Sequence, residues 1–150
     1  MKHKFAIIGL GIMGRRMLEN VLRHPAFEVC GVWDPSADSV DKTRLIAPNA
    51  PISQSAHAAM REAHVVYLAC PPGPRKTYAL EAAANGQGVF MEKPLGTDNV
   101  QSRDLLTQLA KARLPSVVNF TQAASRGFEE LTRSIQAAEV GELLGIDIIV

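Results

Sequence analysis

Three glycines, Gly9, Gly11 and Gly14, and one aspartate, Asp34, are the residues of this chain whose types and spacing could do chemistry together. The glycines stand as GxGxxG in FAIIGLGIMGRRMLENVLR, and Asp34 ends VCGVWD twenty residues after Gly14. Such a loop suits phosphate. Gly9 permits a sharp turn, Gly11 lets backbone N–H groups approach a pyrophosphate without a Cβ in the way, and Gly14 lets the following helix lie close on its strand. Ile12 and Met13 fall in the first turn of that helix, whose N-terminus is the positive end of its dipole. A carboxylate at Asp34 accepts hydrogen bonds from ribose hydroxyls. Alone, GxGxxG is a weak signal, and an aspartate before Pro35 is a turn former. Together, in a correctly sized βαβ unit, they point to a dinucleotide. NAD is expected over NADP, because no arginine directly follows Asp34 and a carboxylate there repels a 2′-phosphate.

The elements that must position these residues are legible as periodicity. Strands are expected at residues 4–9, 28–33, 64–70, 88–91 and 116–120, with a short one near 51–53. Their near-continuous apolar character suits strands buried on both faces of a parallel sheet. Helices are expected between them: 12–23, ended by His24-Pro25; 37–45; 55–62; 74–85, opened by a proline and closed by Gly86; and 99–113, capped by Thr97 or Asp98. This alternation, without repeats or low-complexity linkers, is the pattern of an α/β doubly wound parallel sheet of the Rossmann class. Residues 1–120 are expected to form an NAD(P)-binding domain. Residues 121–150 read as a connecting helix, with Phe128, Leu131, Ile135 and Ala138 spaced 3, 4 and 3 apart, and then a strand at 143–150. That strand would open a second, incomplete α+β domain.

Composition narrows the partners. A net charge of +1, from 16 basic and 15 acidic residues interspersed along the chain, gives no field for nucleic acid or an anionic membrane. In MKHKFAIIGLG the apolar run is broken by glycines that already have a role, so it does not read as a signal peptide, and no apolar stretch approaches membrane-spanning length. A soluble, cytoplasmic protein is expected. Cys30 and Cys70 lack CxxC or metal-ligand spacing and read as buried free thiols. His3, His24, His57 and His64 compose no metal set.

A second segment, YLACPPGPRKTYALEAAANGQGVFMEKPL at residues 67–95, runs from a strand through a Pro-rich loop, an Ala-rich helix, a glycine turn and another strand to Glu-Lys-Pro. This order closely resembles the glucose-fructose oxidoreductase and inositol dehydrogenase family, Gfo/Idh/MocA, of which the EKP is the most specific element. The resemblance extends along the whole chain, since SVVNF, a helix and VGELLGIDIIV look like the family's passage from nucleotide domain to substrate domain. It implies an NAD- or NADP-dependent oxidoreductase that moves a hydride to or from a hydroxyl or carbonyl carbon of a sugar, cyclitol or related small molecule. It also implies Lys93 as the catalytic cation, stabilising alkoxide charge that develops as the alcohol proton leaves. By the same resemblance Glu92 orients Lys93 or the nicotinamide ribose, Pro94 stiffens the loop, and Cys70, Pro71 and Pro72 pack against the cofactor.

Read as residues alone, Glu92 and Lys93 would be a solvated strand-end pair. Their place at the carboxyl end of a strand in a doubly wound sheet favours a site. Asn119 ends the last strand near the expected nicotinamide position, or else bonds backbone there. Two residues depart from the family pattern: Arg75 stands where histidine is expected in many relatives, and Cys70 where threonine or serine is common. Arg75 reads as a solvent-facing residue of its helix's first turn, with a phosphate contact as the alternative.

In this family the general base, commonly a histidine four residues after an aspartate, comes from the substrate domain, and no such pair follows Phe120. The chain is therefore expected to be the nucleotide half of a longer oxidoreductase, binding cofactor without turnover. A stand-alone NAD(P)-binding sensor or scaffold without catalysis is the alternative. A homo-oligomer is expected, because an apolar strand at 143–150 would present an open edge for a second copy to pair with.

Overall fold

Phe5, Ala6, Ile7 and Ile8 alternate between two faces and are all buried, and that alternation organises the fold. The computed structural model describes residues 1–147. The chain forms β1 (His3–Ile8), α1 (Ile12–Arg23), β2 (Phe27–Trp33), α2 (Ala37–Ile46), α3 (Ala56–Met60), β3 (Val65–Leu68), α4 (Pro72–Ala84), β4 (Gly88–Glu92), α5 (Asn99–Ala112) and β5 (Ser116–Asn119). The strands make one parallel sheet in the order β2-β1-β3-β4-β5, the doubly wound arrangement expected from the sequence. The chain steps from β1 outward to β2, then crosses back over β1 to β3. A crevice therefore opens at the carboxyl ends of β1 and β3, where the winding reverses.

Register brings the strand ends level. Ile8 lies beside Trp33 and Leu68, Leu68 beside Met91, and Glu92 beside Asn119. The short strand expected near 51–53 is a single bridge from Ile52 to Val32.

Each face has its own core. Ala6, Ile8, Val66, Leu68, Val89 and Met91 pack with Ala59 and Met60 of α3, Ala79 and Ala82 of α4, and Leu105 and Leu109 of α5. On the other face Phe5, Ile7 and Tyr67 pack with Leu18 and Val21 of α1. Truncating Ile7 or Ile8 to alanine would cost about 2–5 kcal/mol at such sites. Gly31 sets a helix distance that the sequence did not announce: a Cβ there would lie 2.5 Å from the Ala59 carbonyl oxygen, so α3 rests on bare backbone.

Boundaries differ from the periodicity at helix ends. α4 starts at Pro72, two residues early, because prolines at 72 and 74 fit a first turn whose N–H groups have no intrahelical acceptor. α3 is shorter than expected and is capped by Ser55, whose side chain accepts from the Ala58 N–H.

The chain divides into two compact units, Met1–Asn119 and Phe120–Val150. The second contains a 3-10 turn (Thr121–Ala124) and α6 (Arg126–Gln136), which carries Phe128, Leu131 and Ile135 as expected. Ala138 leaves the stripe, at a φ of 54° beyond the helix end. The strand expected at 143–150 is not formed over residues 143–147, and residues 148–150 lie outside the described residues. A strand needs a neighbour to take up its N–H and C=O groups, and among the described residues none pairs with this segment.

Candidate functional site

The loop between β1 and α1 is built around Gly9, which has a φ of +97°, a conformation that glycine adopts at little cost. A Cβ at Gly9 would also stand 2.6 Å from the Cys70 backbone nitrogen, so the loop lies directly against the end of β3. At Gly14 a Cβ would collide with the Gly9 carbonyl oxygen, which keeps α1 pressed on the turn. Gly11 differs from both: nothing lies within 4 Å of the position its Cβ would take. No side chain caps α1 there, whereas Ser36, Ser55, Asp98 and Ser125 cap α2, α3, α5 and α6. The positive end of α1 thus faces open space bounded by backbone, the arrangement that receives a phosphate.

Asp34 closes this loop from the side. Its Oδ2 accepts from the Leu10 N–H at 2.6 Å and its Oδ1 from the Ser36 N–H at 2.8 Å. Arg15 Nη1 donates to the Leu10 carbonyl at 2.5 Å, so both polar groups of Leu10 are engaged. A cleft of about 790 Å3 runs from this loop along the strand ends. Its lining includes Gly9, Gly11, Met13, Asp34, Cys70, Pro71, Pro72, Glu92 and Lys93, together with Trp33, Pro35, Arg75 and Tyr78. That volume falls within the range of small-molecule and cofactor sites. A second cavity of about 290 Å3, bounded by residues such as Phe5, Met17, Phe27, Phe90 and Val117, is apolar apart from Asn20 and His24 and lies away from these groups.

Three expected site residues stand off the cleft. Ile12 is exposed at the start of α1, Gly14 is buried beneath the loop, and Asn119 faces Glu92. Among the described residues, no group of three or more His, Cys, Asp or Glu side chains could hold a metal ion.

At the EKP region the structure departs from the solvated-pair alternative for Glu92 and corrects the solvent-facing reading of Arg75. Glu92 is 3 % exposed, not solvated, and its carboxylate does not pair with the Lys93 ammonium. Instead Oε1 accepts from the Tyr67 hydroxyl at 2.5 Å and from Asn119 Nδ2 at 2.6 Å, while Oε2 receives only a long bond of 3.3 Å from the Lys93 N–H. Adjacent strand ends on β3, β4 and β5 bring these three side chains together. Asn119 therefore bonds a side chain rather than backbone. Burial, with the Glu92 carboxylate beside it, drives the Tyr67 phenol pKa well above its ordinary value. Lys93 is exposed on the cleft, and among the described residues its ammonium has no hydrogen-bond partner.

Arg75 is the second departure. It is 2 % exposed rather than solvent-facing. Its Nη2 donates to the Cys70 carbonyl at 2.6 Å, and its Nη1 donates to the Glu92 carbonyl at 2.5 Å and to the Pro94 carbonyl. Burial pushes the Cys70 thiol pKa up, with Arg75 pulling the other way, so Cys70 is a packed thiol rather than a nucleophile. The sequence offered one signal for the network: a tyrosine within an apolar strand needs a partner for its hydroxyl.

Comparison with known proteins follows the same lines. A family model described as an oxidoreductase family with an NAD-binding Rossmann fold matches residues 3–120. The inositol 2-dehydrogenase of Pseudomonas syringae pv. syringae is 28% identical over 146 residues, covering 94% of this chain and 44% of its own length. That of Gluconacetobacter diazotrophicus is 27% identical over 143 residues, covering 92% and 42%. The chain thus spans less than half the length of the curated relatives it matches. The crystal structure of myo-inositol 2-dehydrogenase from Lactobacillus plantarum superposes with a TM-score of 0.83 at 16% identity, covering 95% of this chain and 43% of that one, a likeness of fold.

Proposed function

The chain belongs to the Gfo/Idh/MocA oxidoreductase family, and from that membership we propose that Met1–Asn119 is the NAD-binding half of a dehydrogenase. Its reaction would move a hydride to or from a hydroxyl or carbonyl carbon of a cyclitol, sugar or related small molecule. One observation carries the reading: a single cleft joins the open backbone at Gly11 and the carboxylate of Asp34 to the ammonium of Lys93. Gly9, Gly11, Ile12 and Met13 would cradle the pyrophosphate by backbone and dipole, with Gly14 holding α1 close beneath them. Asp34 would hold the adenosine ribose. Cys70, Pro71, Pro72, Glu92 and Asn119 would shape the nicotinamide end.

When bound, the nicotinamide supplies the hydride acceptor or donor. Lys93 would place its positive charge beside the substrate oxygen and lower the cost of negative charge there. No residue of this unit is assigned as general base, so residues 1–150 would bind cofactor without turning over. The relatives named as inositol 2-dehydrogenases support the cyclitol class. We place the protein in the cytoplasm, where the unpaired Cys30 and Cys70 stay reduced, and in a homo-oligomer. Among the described residues no helix is long and apolar enough to cross a membrane.

Titration of the chain with NAD and with NADP, read from Trp33 on the cleft wall, tests the proposal. A 2′-phosphate about 4 Å from the Asp34 carboxylate would cost about 1 kcal/mol in water and about 4 at an effective dielectric of 20. NAD should therefore bind tighter by about fivefold or more. NADP binding as tightly as NAD would overturn the cofactor assignment.

A further inference from the structure

Arg75 is a buried guanidinium side chain with no carboxylate partner among the described residues. Its donors go to carbonyls instead, and its Nε–H is buried without an acceptor. Keeping a guanidinium in such a place works against stability. The carbonyls it binds explain what it does. Cys70 lies in the loop after β3, and Glu92 and Pro94 are the residues immediately before and after Lys93. A single nitrogen, Nη1, thus takes the carbonyls on both sides of Lys93, while Nη2 ties the same fork to the neighbouring loop.

We propose that Arg75 is the positioning residue of Lys93: it clamps the carbonyls of the residues on either side of the lysine and so fixes where the ammonium leaves the backbone and enters the cleft. This rests on the reading of Lys93 as the site cation. The planar fork suits the task, because two nitrogens present donors in fixed directions. A lysine concentrates its donors on one atom and cannot span carbonyls met at two.

The test uses residues 1–150 labelled with 15N, comparing the wild type with Arg75→Lys and Arg75→Gln, whichever keeps the wild-type circular dichroism. Without cofactor, the backbone amides of Lys93 and Leu95 should become more mobile by relaxation in the variant, while those of Gly11 and Ser36 stay as in the wild type. NAD is then added at a saturating concentration, so that a change of affinity transmitted through Cys70, which Arg75 and the Gly9 loop both touch, does not enter the reading. Cofactor-induced shifts at Gly11 and Ser36 should persist, and the shift at Lys93 should be lost. A general structural role would alter all these signals together or none. Unchanged Lys93 and Leu95 mobility in a folded variant overturns the proposal.

If NAD shifts nothing in the wild type, the cofactor reading fails while the cofactor-free arm still decides this one. The wild type gives a further reading that needs no variant. The Arg75 Nη groups should show hindered rotation, as separate 15N resonances, and free rotation would overturn the clamp.

Discussion

Asp34 Oδ2 stands 2.6 Å from the Leu10 N–H, so the carboxylate proposed for the ribose also holds the loop proposed for the phosphates. The two halves of the proposed nucleotide site are thereby joined before any ligand arrives. Asp34→Ala should weaken NAD binding by about ten- to a hundredfold, since hydrogen bonds to charged groups are worth about 1.5–3 kcal/mol. It should also erase the preference over NADP. Calorimetric titration of both cofactors checks this, and an unchanged NAD affinity would remove Asp34 from the site.

The hydrogen-bonded trio of Tyr67, Glu92 and half-buried Asn119 gives the chain an alkaline weakness. Tyr67 has its folded-state pKa raised, so in the unfolded chain it releases its proton first. Its contribution is complete below about pH 10, the ordinary phenol value, and is lost as pH rises above it. The raised Cys30 and Cys70 thiols act in the same direction from about pH 8.5. Stability measured by urea unfolding should therefore fall from pH 8 to pH 11. Tyr67→Phe should be less stable at pH 7 by about 1–3 kcal/mol, because Glu92 loses a donor, and should show a flatter alkaline decline. An equally steep decline in Tyr67→Phe would show that the phenol is not its source.

Lys93 is exposed and contributes to no core, so Lys93→Met should change stability by no more than about 0.5 kcal/mol. In a protein that joins this unit to its substrate domain, the same change should abolish most turnover while NAD affinity stays near wild type. Steady-state rates on the preferred cyclitol or sugar check it. A variant that keeps its rate would end the catalytic assignment.

What the sequence revealed and what it hid follow from the range of the interactions. Gly9, Gly11, Gly14 and the strand alternation at Phe5 to Ile8 are local, so spacing alone announced the turn, the helix and the buried sheet. Glu92 and Lys93 were marked as candidate site residues by resemblance and by their place at the carboxyl end of a strand. Tyr67 and Asn119 are brought to Glu92 by the register of β3, β4 and β5, and Arg75 is brought to the carbonyls around Lys93 from α4, neither of which a local pattern encodes. Arg75 was misplaced because an arginine in a first turn is ordinarily solvated, and only the convergence of three carbonyls makes burial tolerable. The segment from Leu143 has strand-like residues, yet strand structure depends on a partner as much as on propensity.

That segment carries the oligomer proposal. Leu143, Leu144 and Ile146 are exposed, and covering such apolar surface is worth about 25 cal/mol per Å2. Light scattering should find residues 1–150 dimeric or larger and a chain ending at Gly141 monomeric. The same mass in both would show that the tail does not drive association.

Gly11 offers the most direct measurement of the central claim, because its missing Cβ faces open space and its backbone, at φ −62° and ψ −168°, is extended. Gly11→Val should fold with a stability change under about 1 kcal/mol, the scale of a cap substitution, while its side chain occupies the path to the phosphate loop. Calorimetric titration with NAD should give saturable binding to the wild-type chain and none to Gly11→Val under the same conditions. Equal binding by both, or no binding of NAD by the wild type, would contradict the assignment of this cleft as a dinucleotide site.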